Sequence, residues 1–140
     1  PPAFLGATLN VHGVDQTNLA FDGFDFDKGN VLSKRASSGA VNGLKAYWIT
    51  GHKPTIKISP EMISLATLNV YSIWKAGGTG QFSAVWGTAG TNRFTFTAGR
   101  TQIKELGMGE REGARAADLS LNITTTGTAA DGADYSIVID

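Results

Sequence analysis

Three groups of residues in this sequence have types and spacings associated with chemistry elsewhere. The first is GMGEREG, Gly107 to Gly113, a glycine run that carries Glu110 and Glu112. A phosphate-cradling loop follows a strand and opens a helix, whose N-terminal amides and dipole attract the anion. This run leads instead into ARAADLSLNIT, which alternates as a strand does, and no Lys-Ser or Lys-Thr pair accompanies it. Its two carboxylates would also repel phosphate. The spacing therefore predicts a glycine-rich β-turn, with the glycines supplying positive φ.

The second group is DGFDFDKGN, Asp22 to Asn30, which places Asp22, Asp25 and Asp27 close together. A calcium loop of the EF-hand type needs acidic residues at alternate positions, then Gly and a distant Glu, and that order is absent. Phe24 and Phe26 alternate with Asp25 and Asp27, so the segment reads as a strand with a solvated acidic face. The change of phase between Phe21 and Phe24 predicts a bulge at Gly23. The third group is aromatic. His12 and His52 belong to different segments, and neither completes a Ser/His/Asp or metal-binding pattern. Trp48, Trp74 and Trp86 are flanked by apolar residues and are expected in the core rather than stacked on a sugar or base. With no nucleophile, base, cofactor motif or metal set in place, the chain reads as non-enzymatic.

The elements that would carry these residues are mostly strands. TIKIS, RFTFT and DLSLNIT alternate strictly, with Ile56 and Ile58, Phe94 and Phe96, and Leu119, Leu121 and Ile123 on their apolar faces. ATLNV, LKAYWIT, QFSAVW and YSIVI extend the set to about eight to ten half-buried antiparallel strands. One segment breaks the period: in SPEMISLATLNVYSIWKAGG, Ser59 is placed to cap, Pro60 to begin and Gly77 to end a helix over about residues 60–76. Ile63, Ala66, Val70, Ile73 and Trp74 would share its apolar face. The expected fold is mainly β, two antiparallel sheets forming a small sandwich or partial barrel with one flanking helix. Residues 28–43 and 124–134 read as long loops, polar and small, the first carrying adjacent Lys34 and Arg35.

The composition narrows the function classes. A chain of 140 residues forms one domain and buries roughly 68–70% of its unfolded surface without needing a disulfide or metal. It has no cysteine, which removes thiol chemistry and cysteine zinc sites. Twelve basic and 12 acidic residues cancel and no run of like charge stands out, unlike a protein that grips nucleic acid. Nothing approaches the ~18 apolar residues of a membrane span.

The order of these segments resembles that of the tail tube proteins of tailed bacteriophages. The resemblance rests on Thr50, Gly51, His52, Lys53 and Pro54, then Pro60-Glu61, then Trp74, Ala76 and Gly77. After them come Gly87, Thr88, Ala89 and Gly90, then Gln102, and then Gly107, Gly109 and Gly113. It runs from about Thr8 to Asp140 and is carried by order and spacing rather than by any single motif. Thr91 before Asn92, Ala98-Gly99 in place of Ala-Pro, and Glu110 in place of Asp depart from the family pattern. Pro1-Pro2 without an initiator Met fits the second half of a longer tube protein.

The resemblance implies a structural virion protein that self-assembles into hexameric rings, stacked into the channel through which DNA leaves the capsid. Its partners would be copies of itself, other tail proteins, and DNA in transit without sequence-specific binding. It implies no membrane partner, and a place in the virion tail after synthesis in the bacterial cytoplasm. Asp22, Asp25 and Asp27 become candidates for a lumen or subunit interface. Lys28, Ser33, Lys34, Arg35, Ser37, Ser38 and Asn42, within the loop 28–43, become candidates for a self-assembly contact. A second reading from another class is a carbohydrate-binding or adhesin module on a virion or cell surface, which would show exposed coplanar aromatics where tube subunits show buried tryptophans.

Overall fold

The computed structural model describes residues 7–15, 24–62, 67–88, 91–111, 113–124 and 134–140. Four strands show how alternation builds its layers: β3 (Phe24–Asp27), β6 (Thr55–Ile58), β8 (Thr91–Arg111) and β9 (Ala114–Ile123). Their antiparallel registers set Phe26, Ile56, Leu121 and Ile103 in one row and Phe24, Ile58, Leu119 and Leu106 in the next nearest row on the same face. Partners opposite one another share a face, so these rows enter the core. The intervening row, Asp25, Lys57, Ser120 and Glu105, faces outward.

The other wall comes from β1 (Thr8–Val11), β2 (Val14–Asp15), β7 (Thr79–Thr88), the first half of β8, and β10 (Ser136–Ile139). All belong to one sheet, in the order β2-β1-β7-β8-β9-β6-β3, with β10 paired to β8. β3 stands at the end of that order, yet Phe24 lies 5.6 Å from the Phe82 ring of β7 and 5.2 Å from Phe96 of β8. The sheet therefore bends back on itself and encloses its core without closing a hydrogen-bonded barrel. Phe82 and Phe96 are wholly buried, each burial being worth about 1.5–3 kcal/mol.

The helix is shorter than the sequence signal suggests. α1 spans Val70–Ala76; Asn69 caps it by accepting from the Ser72 amide at 2.9 Å. Gly77 ends it as expected, in the left-handed conformation, with the Gly78 amide bonded to the Ile73 carbonyl. The expected start at Pro60 is not observed. Ser59 donates to Asp118 at 2.7 Å, the Pro60 carbonyl accepts from Ala117, and the Met62 amide donates to the Arg115 carbonyl. The segment is thus held extended along β9, which has taken the backbone groups that a first helical turn would use. Ile63 and Ala66 lie outside the described residues, as do Asp22, Gly23 and most of the loop 124–134.

Two further expectations are corrected. Residues 30–36 of the presumed loop 28–43 form β4 (Asn30–Ala36), paired with β5 (Leu44–His52) in a separate two-stranded sheet. GMGEREG is not a turn throughout, because β8 continues to Arg111 and only Gly113 of its glycines has positive φ. Gly107 and Gly109 instead make room for a side chain. A Cβ on Gly109 would sit 2.8 Å from a carboxylate oxygen of Asp118, closer than non-bonded atoms tolerate.

Candidate assembly interface

β4 and β5 continue the β3–β6 ribbon out of the body as an arm. At the joint, Gly29 adopts φ +60° and packs against the Lys53 backbone, its amide donating to Asp27 Oδ1 at 2.9 Å and its carbonyl accepting from the Lys53 amide. Pro54, buried between β5 and β6, completes the break. At the root of the arm the cross-strand pair Asn30 and His52 is bonded side chain to side chain at 2.8 Å. The other ring nitrogen of His52 lies 3.1 Å from Asp134 Oδ2, just ahead of β10. At the tip, Ser37 and Gly43 close the ribbon through a backbone bond.

The arm has two faces set by strand alternation. Leu32 pairs with Ile49 and Lys34 with Tyr47 on one; Ser33 pairs with Trp48 and Arg35 with Ala46 on the other, beside Val31. Arg35 lies over the Trp48 ring at 5.4 Å, and the Thr50 hydroxyl bonds to Val31 and Ser33. Val31, Leu32, Tyr47, Trp48 and Ile49 are each more than half exposed, and no arm residue joins the core of the body. An isolated two-stranded hairpin is marginal in water, so these side chains represent contact area that the single chain leaves unused.

The sequence-predicted residues therefore divide. Lys28 precedes the arm; Ser33, Lys34 and Arg35 lie along β4; Ser37, Ser38 and Asn42 belong to its tip. Tyr47, Trp48 and Ile49 were missed because LKAYWIT reads like a buried strand. The expectation that all three tryptophans pack in the core is corrected. Trp48 projects from the arm, and Trp74 remains 41% exposed with its indole donating to the Lys104 carbonyl. Trp86 is half-buried and stacks on Phe94 at 4.2 Å.

A charge signal was also available. Residues 28–53 contain five basic and no acidic residues, leaving seven basic against 12 acidic elsewhere. Part of that negative charge lies on the outer face of the four-stranded wall, where Asp25, Asp27, Glu105 and Asp118 outnumber Lys57 and Lys104, the latter paired with Glu105. Two adjoining open depressions of about 390 and 540 Å³ run over this face. No group of three or more His, Asp or Glu among the described residues is arranged to hold a metal. His12 lies apart in the β1–β2 turn, beside the buried Thr101 hydroxyl, and burial lowers its pKa.

The fold as a whole is similar to that of chains from a gene transfer agent. One belongs to the virion of a native gene transfer agent particle, with a TM-score of 0.58, 10% identity, and coverage of 96% of this chain and 95% of that one. Another belongs to the tail of an empty particle with C6 symmetry, with a TM-score of 0.57, 11% identity, and coverage of 96% and 93%. The shared property is the fold. No protein-family model matches the sequence, and comparison with curated proteins finds no match.

Proposed function

We propose that this chain is a structural virion protein, a subunit of a phage-type tail tube whose stacked hexameric rings enclose a DNA channel. The observation that carries this reading is the arm: a basic ribbon with large apolar side chains exposed on both faces, projecting from a body whose described residues form a core without it. Such a surface suits a partner rather than water. Similarity of fold along nearly the full length of chains from a virion and a tail supports the same class of protein.

In this reading the arm, with Lys28, Lys34 and Arg35, supplies a contact between subunits. The acidic wall containing Asp25 and Asp27 is the candidate lumen surface. Carboxylates there leave DNA phosphates unneutralised and release no counterions, so DNA would pass without being held.

The adhesin reading draws support from exposed Trp48 and Trp74. It requires aromatic platforms that share a plane, however. Tyr71 and Trp74 meet at 51°, and Tyr47 and Trp48 occupy successive positions that point to opposite faces of the arm.

Light scattering over a wide concentration range, with negative-stain images of the same sample, tests the proposal. Rings or tubes are expected. A chain that stays monomeric at every concentration and binds a glycan on screening would replace this reading with the second.

A further inference from the structure

We infer that each arm bridges two other copies of this chain, one seated on each face, rather than lying against a single neighbour. This rests on the tube-subunit reading and specifies its contact.

The argument begins with sidedness. Leu32, Tyr47 and Ile49 project from one face, Val31 and Trp48 from the other, and all are more than half exposed. One neighbour on one face would leave the opposite set in water. Covering both makes the ribbon the middle layer of a three-layer stack, with sheets spaced about 10 Å apart.

Charge identifies the occupants as further copies. The five basic residues of 28–53 face no acidic residue within that segment, while the rest of the chain has 12 acidic residues against seven basic ones. A second copy of the body therefore has the charge that complements the arm, and its potential would steer the encounter. Duplex DNA also attracts a basic β-ribbon, but its phosphates offer nothing to Leu32, Ile49 or Val31, so a protein surface fits both properties.

Size makes the bridge cooperative. A two-stranded ribbon of seven paired residues presents about 250 Å² per face. That is well below the roughly 800 Å² that each partner buries in a stable pairwise interface. One face holds a neighbour weakly; where the two neighbours already touch one another in a ring, engaging the first raises the effective concentration of the second. The free chain consequently stays soluble, and assembly rises steeply with concentration.

The test uses a photo-activatable benzoylphenylalanine replacing Ile49, Trp48 or both. A small fraction of fluorescently tagged, substituted chain is co-assembled with excess unmodified chain, then irradiated in the presence and absence of duplex DNA. Each single substitution is expected to give a tagged two-chain product and the double substitution a three-chain product. Leu32 and Val31 present the same two faces from β4 and replace the first pair if the bulky label blocks incorporation. Tubes in which the double substitution yields only two-chain products would overturn the bridge while leaving the tube reading intact. Labelling of DNA in place of protein would overturn the bridge in favour of a nucleic-acid contact. A chain that never assembles would remove the tube reading and the bridge with it.

Discussion

His52 Nε2 lies 3.1 Å from Asp134 Oδ2, joining the root of the β4–β5 arm to the segment that enters β10. Its other ring nitrogen meets Asn30 across the ribbon. One side chain thus fixes the arm to its own partner strand and to the body. His52→Ala leaves the buried Asp134 carboxylate without this partner and is expected to cost about 1–3 kcal/mol, without loosening the body uniformly. Hydrogen exchange should instead speed up across residues 30–36 and 44–52 while the amides of β9 keep their protection. Equal protection of the arm in both proteins would show that the contact does not anchor it.

Phe96 and Trp48 separate folding from assembly. The Phe96 ring packs on Phe24, Phe26, Phe82 and Tyr135. Phe96→Ala should therefore cost about 3–5 kcal/mol, as a truncation at the centre of a core does. Trp48 contacts the guanidinium of Arg35 in the arm and joins no core. Trp48→Ala should leave the body within about 0.5 kcal/mol of the parent in urea titration and abolish or strongly weaken assembly in light scattering. Assembly at the parental concentration would remove Trp48 from the interface.

What the sequence disclosed follows from which surfaces are buried on one side. FDFD, TIKI and LSLNI have one core face and one wet face, so their alternation stated both strand and orientation. The arm is wet on both faces, which removes the alternation that would have marked β4 and made Trp48 look like a core residue. Ser59, Pro60 and Glu61 are a sound local signal for a helix start, yet distant β9 captures their backbone. A tertiary partner overrode local preference there. Gly107 and Gly109 resembled turn glycines because a sequence gives no view of Asp118, whose side chain lies across them. The segregation of charge into residues 28–53 was legible but was obscured by the zero net total.

His12 gives the fold a pH dependence of known sign. Burial lowers its pKa below 6.5 in the folded chain, so the unfolded chain binds the proton more readily. Its contribution to stability is complete above the unfolded pKa of about 6.5 and declines as pH falls through that value toward the lower folded one. The thermal midpoint should therefore drop between pH 7 and pH 5. His12→Asn, which tolerates the φ of 53° at this position, should flatten that part of the profile. An unchanged slope in the variant would assign the dependence to other groups.

Gly29 controls the joint between body and arm. Its positive φ and its contact with the Lys53 backbone leave no space for a Cβ. Gly29→Ala should cost about 1–3 kcal/mol locally. The cost can be relieved by opening the joint, so limited proteolysis is expected to cut at Lys28 or Lys53 sooner than in the parent while the body persists as a resistant fragment. Cleavage at the parental rate would mean that the joint accommodates the methyl group without moving.

Lys34 and Arg35 lie side by side on β4, and neither forms an ion pair with a carboxylate among the described residues. If they meet carboxylates of neighbouring copies outside the lumen-facing wall, Lys34→Glu with Arg35→Glu replaces attraction by repulsion at the same places. Exposed pairs are worth about 0.2–1 kcal/mol each, but a stacked assembly repeats them in every subunit. The double variant should melt like the parent and require a higher concentration to assemble. The gap should be widest at low ionic strength and should narrow as salt shortens the Debye length to about 8 Å near 0.15 M. A deficit that does not respond to salt would point to the apolar side chains of the arm, rather than its charge, as the determinant of assembly.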